Sequence, residues 1–179
     1  MRTHVALVRG INVGGNNLVK MADLRQFLVD IGLKDPATLL QSGNMVFTCE
    51  SSCTDLEGLL ETESQKRLGL SASYMVRTVE EWDKLIAANP FPEEAEKDPS
   101  HLVVVFSKKA PEAHVIEAVQ AACVGPEVLR IAHGHLFVYY PEGIGESKLM
   151  KAPGWNKSGA LGTGRNWNTV LKLAALARD

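Results

Sequence analysis

The residues best suited to chemistry lie near the start of this 179-residue chain, between a short apolar run and a helix-like pattern. Gly10 and Gly15 are spaced like the two glycines of a phosphate-binding P-loop, GxxxxG, and Asn16 and Asn17 follow them. A P-loop instead needs Lys and then Ser or Thr at these positions, to reach the phosphates and the magnesium ion. Hydrolysis of a nucleoside triphosphate is therefore not expected. The loop also lacks the GxGxxG spacing of a dinucleotide site.

Two interpretations of this opening loop remain. In the first, the loop binds an anion, because glycines leave successive backbone N–H groups free to face it and two basic residues flank them. Alternatively, the loop is a strand-to-helix turn in which glycines supply positive φ and asparagines bond the local backbone. The turn is favoured, because glycine-rich turns are much commoner than ligand sites. The contact residues predicted for a ligand here are Arg9, Asn12, Gly14, Gly15 and Lys20.

Two later segments, residues 143–148 and 157–166, also mix small residues with Ser, Thr, Lys and Arg. The second leads into a final helix, whose amino end favours an anion. Arg165 has a guanidinium fork matched to phosphate or carboxylate, whereas Asn166 either contacts the anion or simply caps the helix. The three loops either share one ligand or are unrelated solvated turns. The ligand-binding residues predicted in these two segments and the helix are Ser147, Lys148, Arg165, Asn166 and Asn168.

The sequence shows no complete set of catalytic residues. Its five histidines are scattered, and no serine or cysteine occupies a nucleophile motif such as GxSxG. His133 and His135 flank Gly134, but a metal site needs further ligands at suitable spacing and none is near. A hairpin turn is therefore expected there, and neither a metal nor a cofactor is predicted. An enzyme assembled from residues distant in sequence remains an alternative.

The elements that position these loops follow from apolar periodicity and turn residues. Capping boxes, in which Thr and Glu satisfy each other's free amides, are predicted at Thr54–Glu57 and Thr78–Glu81. A hairpin turn is predicted at Ser42–Asn44. The elements of the first half are expected to follow the order βαββαβ, which is the ferredoxin-like order. Its strands are predicted at 4–9, 38–41, 45–49 and 72–77, and its helices at about 21–31 and 54–68.

The second half nearly repeats the first. Pro111 suits the first turn of a helix, and Gly134 the turn of a hairpin. We therefore predict an α+β fold of two tandem ferredoxin-like (βαββα) subdomains with antiparallel sheets. The subdomains are predicted at 1–77 and 101–179, joined by a linking helix and an exposed connection at 78–100. The later strands are predicted at 101–106, 128–132 and 135–140, and the later helices at about 111–122 and 167–177.

Composition narrows the class of protein. Hydrophobic residues make up 45% and charged residues 22%, and no apolar run approaches the roughly 20 residues that span a bilayer. The chain starts without a signal-peptide pattern, so a cytoplasmic protein is expected. Three cysteines without a CxxC pair predict reduced thiols rather than disulfides. A net charge of -2 argues against general affinity for nucleic acid.

One strand nevertheless has a pattern typical of nucleic-acid binding. His133, His135, Phe137 and Tyr139 alternate along the third strand of the second half, so they share a face on which bases could stack. The competing interpretation is that this face is buried, and the apolar neighbouring strand favours burial. Nucleic acid is therefore the less favoured partner.

Several longer motifs together resemble one family. They are "LVRGINVGGNN", "KMADLR", "LQSGNMVF", "NPF", "GIGESKL" and "GRNWNTVLKL", and they extend over almost the whole chain. In this order the motifs are similar to the bacterial domain of unknown function 1697 family. The resemblance implies an α+β fold with duplicated ferredoxin-like subdomains. It implies no established activity, so it assigns no catalytic residue.

The function expected from the sequence is that of a cytoplasmic binding module. Its ligand is expected to be a small phosphorylated or nucleotide-like anion, because three loops combine glycine with basic residues. A transferase or hydrolase acting on such an anion is the alternative, followed by a single-stranded nucleic acid binder. No membrane partner is expected, and both a monomer and a dimer are compatible with the sequence.

Overall fold

The structure is a computed structural model that describes residues 1–12, 14–15, 17–50, 54–157 and 162–179. The chain forms two compact units. Unit 1 comprises residues 1–82 and 173–179, and unit 2 comprises residues 83–172. The predicted α+β class is confirmed, since two four-stranded antiparallel sheets are present.

Unit 1 has the predicted order of elements. Its strands lie in the order β2-β3-β1-β4, all antiparallel. The strands are β1 (Arg2–Arg9), β2 (Lys34–Leu39), β3 (Asn44–Cys49) and β4 (Ser73–Thr78), and the helices are α1 (Met21–Asp30) and α2 (Leu56–Leu68); α3 (Val79–Ala87) follows β4.

The core of unit 1 forms where α1 and α2 cover the sheet. Leu24 and Leu28 lie one helical turn apart on α1 and are fully buried, as is Leu60 of α2. Phe47 of β3 and Tyr74 of β4 complete the same cluster from the sheet. Burying one such side chain contributes about 1.5 to 3 kcal/mol, so this cluster holds β1 and the loop that follows it in place.

Unit 2 has the strand order β6-β7-β5-β8, which matches the order in unit 1. Between its third and fourth strands the described residues form two short 3-10 turns, Leu149–Lys151 and Trp155–Lys157. Its strands are β5 (Leu102–Phe106), β6 (Val128–Ala132), β7 (His135–Tyr139) and β8 (Thr163–Asn166), and its helices are α4 (Pro92–Lys97) and α5 (Ala113–Ala122); α6 (Trp167–Leu176) follows β8.

Two local predictions for unit 2 were wrong. Residues 163–166, expected to be loop, form β8, in which Arg165 pairs with Val104 of β5. Four residues with a central glycine carry almost no strand signal, so pairing with a distant strand decides their conformation. The connection predicted over residues 93–100 contains α4, in which Pro92 occupies the first turn.

Of the two predicted capping boxes, one is confirmed and one is wrong. Glu81 accepts a hydrogen bond from the Thr78 amide at 2.8 Å, and Thr78 Oγ1 accepts one from the Glu81 amide at 3.1 Å. In the other, Asp55 rather than Thr54 caps α2, because its Oδ1 accepts from the Gly58 amide at 3.0 Å. Glu57 is therefore not used in a box and is available for another contact.

The aromatic row of β7 does not offer a free stacking face. His135 and Phe137 are 7% and 0% exposed. Phe106 packs edge-on to His135 with 5.2 Å between ring centroids, and Trp167 lies 6.3 Å from Phe137. The expectation of burial is confirmed for these two side chains, so base stacking on them is not proposed.

Two of the three cysteines lie among the described residues. Cys49 is buried, Cys123 is half-buried, and Cys53 lies outside the described residues. No helix among the described residues has the length and apolar character needed to cross a membrane.

Candidate functional site

The opening loop follows β1 in unit 1 and has left-handed backbone at several positions. The sequence predicted positive φ at Gly14 and Gly15, and the structure gives 60° and 78°. Val13 and Asn16 lie outside the described residues. The other loop residues with positive φ are Gly10 at 78°, Asn12 at 53° and Asn17 at 49°.

Asn12 is the residue that fixes this loop. Its Nδ2 donates to the carbonyls of Val19 at 3.0 Å and Gln41 at 2.9 Å, and its Oδ1 accepts from the Val19 amide at 2.9 Å. Both amide protons and the amide oxygen therefore have backbone partners. These bonds give Asn12 a structural role, and an anion could bind its Nδ2 only by displacing one of them. Its role as a ligand contact stays a prediction.

A second asparagine closes the loop on itself. Asn17 Nδ2 donates to the Gly10 carbonyl at 3.1 Å, and the Asn12 amide donates to the Asn17 carbonyl at 3.2 Å. Asparagines that bond the local backbone were the feature expected of a structural turn. These bonds hold the described ends of the loop together, and Gly14 and Gly15 are exposed.

A shallow hollow of about 490 Å³ lies beside the loop. Its polar groups include Lys20, which is exposed, and Asp23 of α1. Its apolar side includes Leu18, which is 72% exposed. One cation, one carboxylate and an apolar wall suit a small amphipathic ligand with a single anionic group. The hollow is lined by Asn12, Leu18, Val19, Lys20, Asp23, Gln41, Leu68 and Leu70.

Sequence reasoning found two of these lining residues, Asn12 and Lys20, and missed the rest. Gln41 lies in the β2–β3 hairpin, and Leu68 and Leu70 lie at the end of α2. Only tertiary packing brings these segments to the loop, so no local signal could have identified them. Arg9, also predicted, is exposed at the end of β1 and does not line the hollow.

The Ser147–Lys148 segment of unit 2 is tied to a buried carboxylate. Glu127 is 5% exposed, and burial alone would raise its pKa. Hydrogen bonds from Ser147, its own backbone and the Cys123 thiol nevertheless hold the pKa of Glu127 below its ordinary value. Ser147 Oγ also accepts from the Leu149 amide at 3.1 Å. Ser147 therefore anchors its segment, whereas Lys148 is exposed.

The remaining candidates lie in β8 and at the start of α6. Arg165 is buried, and its Nη1 donates to Thr163 Oγ1 at 2.5 Å and the Gly164 carbonyl at 2.9 Å. Burial lowers the pKa of Arg165 to about 10, so the side chain stays charged at neutral pH. Asn166 is confirmed as a helix cap, since its Oδ1 accepts from the Thr169 amide at 3.0 Å. Asn168 is exposed on the first turn of α6.

These positions divide the candidates into two groups. Arg9, Asn12, Gly14, Gly15 and Lys20 belong to unit 1, and the later five belong to unit 2. Residues 158–161 of the last loop lie outside the described residues. One ligand shared by all three loops remains a prediction.

A carboxylate–histidine pair in unit 2 escaped the sequence analysis. Asp98 Oδ2 lies 2.7 Å from His101 Nδ1, and both side chains are about one-third exposed. The signal was present as an Asp three residues before a His, at the end of α4. Serine hydrolases use such a pair to orient a general base, but here Ser100 donates to Asp98 instead of facing the imidazole. The pair alone supports no reaction.

His4 of β1 gives unit 1 a predicted pH dependence. Burial is the main cause that lowers the pKa of His4 below its ordinary value of 6.5, and nearby Glu81 and Glu80 oppose the shift. As the pH falls through 6.5, His4 therefore binds a proton in the unfolded chain at a higher pH than in the folded protein. We expect the free energy of unfolding to fall with pH by up to about 1.4 kcal/mol per pH unit from this group.

Urea denaturation at about pH 7.5 and pH 5.5 would measure this effect in the wild type and in His4→Gln. The variant keeps a polar side chain without the titration, so its stability should fall less over this range. Equal losses in the two proteins would contradict the prediction.

Comparison with known proteins agrees with the fold and assigns no activity. The chain is 27% identical to a solved structure described as "The structure of conserved bacterial protein SP0830 from Streptococcus pneumoniae". The similarity covers 98% of each chain with a TM-score of 0.78. No curated protein matches the chain. Residues 1–137 match the family described as "Protein of unknown function (DUF1697)", and the chain therefore belongs to the DUF1697 family.

Proposed function

We propose that this chain is a binding protein for a small anionic ligand, held in the hollow beside the opening loop of unit 1. The observation that carries this proposal is the position of Lys20, an exposed cation on the wall of a 490 Å³ hollow. Ligand pockets of about 300 to 1,000 Å³ accept molecules of metabolite size. Lys20 would contact a phosphate or carboxylate as a point charge.

The rest of the hollow favours a ligand with a neutral body. Leu18, Leu68 and Leu70 offer an apolar surface on which a planar or aliphatic group would lie. Asp23 disfavours a second anionic group beside the first, but it is a good acceptor for a hydroxyl. A nucleoside monophosphate has this combination of one phosphate, sugar hydroxyls and a planar base, so we take it as the model ligand.

The hydrogen bonds of the loop beside the hollow support binding. Asn12 and Asn17 hold the backbone of the described loop residues. A preorganised site loses less conformational entropy when it binds, so more of the contact energy appears as affinity. The lining residues include no serine, cysteine or histidine beside Lys20 and Asp23, so binding rather than a reaction is proposed.

Titration calorimetry with AMP, adenosine and inorganic phosphate would test the proposal. AMP should bind most tightly, because it alone satisfies both Lys20 and the apolar wall. Lys20→Ala should weaken AMP binding by about tenfold or more, since a charge-assisted contact is worth roughly 1.5 to 3 kcal/mol. The free energy of unfolding of Lys20→Ala should differ from that of the wild type by no more than about 0.5 kcal/mol, because the Lys20 side chain is exposed.

Lys34→Ala is the matched control, since Lys34 is an exposed lysine of unit 1 outside the hollow. It should bind AMP as the wild type does. Equal weakening by the two substitutions would indicate a general effect of charge and would reject the site. The proposal also fails if none of the three compounds binds the wild type at millimolar concentration.

A further inference from the structure

The outer edge of the sheet in unit 1 has an unusual arrangement of side chains. β4 is an edge strand, because among the described residues it pairs with β1 alone, in the order β2-β3-β1-β4. An edge strand presents unpaired N–H and C=O groups, to which another strand can add. In β4, carboxylates of α2 occupy such groups.

Two glutamates of α2 bind the outward amides of Tyr74 and Val76 in β4, and the outward amide of Thr78 donates to Glu81. Glu61 Oε1 accepts from the Tyr74 amide at 3.1 Å, and Glu57 Oε1 accepts from the Val76 amide at 2.9 Å. Four residues of helix rise about 6 Å, and two residues of strand advance about 6.8 Å. The spacing of the glutamates on the helix therefore matches the spacing of the outward amides on the strand.

Arg77 binds the second backbone group of Val76, its carbonyl. Arg77 Nη1 donates to the Val76 carbonyl at 2.7 Å and lies 3.3 Å from Glu57 Oε1. The amide and the carbonyl of Val76 are therefore both occupied, and the two charged side chains that occupy them pair with each other. A further strand would need both of these backbone groups.

The opposite edge of the same sheet is protected in a different way. β2 contains Pro36, its register with β3 shifts between Lys34 and Ala37, and Asp35 has a φ of 51°. Proline, irregular pairing and lysine are common means of discouraging strand addition. The sequence of β4, SYMVRT, contains neither proline nor lysine and is rich in strand-forming residues.

We propose that Glu57, Glu61 and Arg77 close the β4 edge to strand addition, and that loss of the two carboxylates lets β4 pair with β4 of a second copy. The outward residues 74 and 76 are symmetric about Met75. Antiparallel pairing about a two-fold axis at Met75 would place Tyr74 opposite Val76 of the second copy. Each such pair exchanges two N–H···O bonds, so the junction would contain four.

The double variant Glu57→Ala with Glu61→Ala would test this proposal. Light scattering after size exclusion should give a particle with twice the wild-type mass at high protein concentration. Glu57→Gln with Glu61→Gln is the matched control, since an amide oxygen still accepts a backbone hydrogen bond. It should keep the wild-type mass. A folded alanine variant that keeps the wild-type mass at millimolar concentration would overturn the proposal.

Amide hydrogen exchange at Tyr74 and Val76 provides a second test. In the wild type, Tyr74 and Val76 should exchange slowly although they lie on a sheet edge. Glu61→Ala alone should accelerate exchange at Tyr74 much more than at Val76. If both amides exchange in the wild type as fast as unbonded ones, the glutamates do not cover the edge. If the double variant assembles but leaves these amides unprotected, another surface is responsible; either result rejects the proposal.

Discussion

Asn12→Ala is expected to lower the free energy of unfolding by about 3 to 5 kcal/mol. The substitution removes the three hydrogen bonds that the side chain makes to the backbone of Val19 and Gln41. Each contributes about 1 kcal/mol, and the groups left behind are partly buried. Alanine must also adopt the φ of 53° found at Asn12, which costs a further 1 to 2 kcal/mol or so. Chemical denaturation followed by circular dichroism would measure the loss.

Asn12→Gly separates these two causes. Glycine adopts positive φ freely, so this variant should lose the hydrogen bonds but not the conformational term. Its stability should therefore lie between those of the wild type and Asn12→Ala. A stable Asn12→Ala variant that loses only ligand binding would contradict the structural role and restore Asn12 as a contact residue.

The fold was predictable where local pattern and tertiary packing agree. The apolar spacing of α1 predicted a helix at about residues 21–31, and the observed helix is Met21–Asp30. The turn residues at Ser42–Asn44 likewise marked the β2–β3 hairpin. β8 was missed because its pairing with β5 joins residues about sixty positions apart. A short segment with one glycine carries no periodic signal of such a partner.

The candidate site was predictable in part. Its glycines predicted positive φ in the opening loop, because glycine adopts it most readily, and Lys20 was predicted beside them. The partner of Asn12 at Gln41 lies 29 residues away and could not be read from the loop. The guanidinium fork of Arg165 predicted an anion contact, but nothing in the local sequence predicted the strand pairing that buries this side chain.

Charged residues on α2 show why residue type alone misleads. Thr54 and Glu57 fit a capping box by spacing, and the box was predicted on that basis. In the structure Asp55 supplies the cap, and Glu57 reaches the Val76 amide on β4. A helix can start one residue later at little cost, but the edge amide has no other described partner. The role of Glu57 therefore follows from its tertiary contact with β4 and not from its position in the first turn of α2.

Gly43→Ala is expected to lower the free energy of unfolding by about 2 to 4 kcal/mol. A Cβ atom on Gly43 would lie 2.7 Å from Ile11 Cδ1 and 2.9 Å from Val8 Cβ, and the backbone φ is +73°. Val8 Cβ is fixed to β1, so relief requires movement of the hairpin turn. Such movement would strain the bond from the Val8 amide to the Gly43 carbonyl, which measures 2.9 Å.

Gly32→Ala is the matched control for this prediction. Gly32 has a similar φ of +86°, but a Cβ atom there would meet nothing within 4 Å. Gly32→Ala should therefore lower the free energy of unfolding only by the cost of placing alanine at positive φ, about 1 kcal/mol. The difference between the two variants in chemical denaturation measures the packing of the hairpin turn against Ile11 and Val8. If Gly43→Ala costs no more than Gly32→Ala, the hairpin turn does not pack tightly against Ile11 and Val8, and the prediction is wrong.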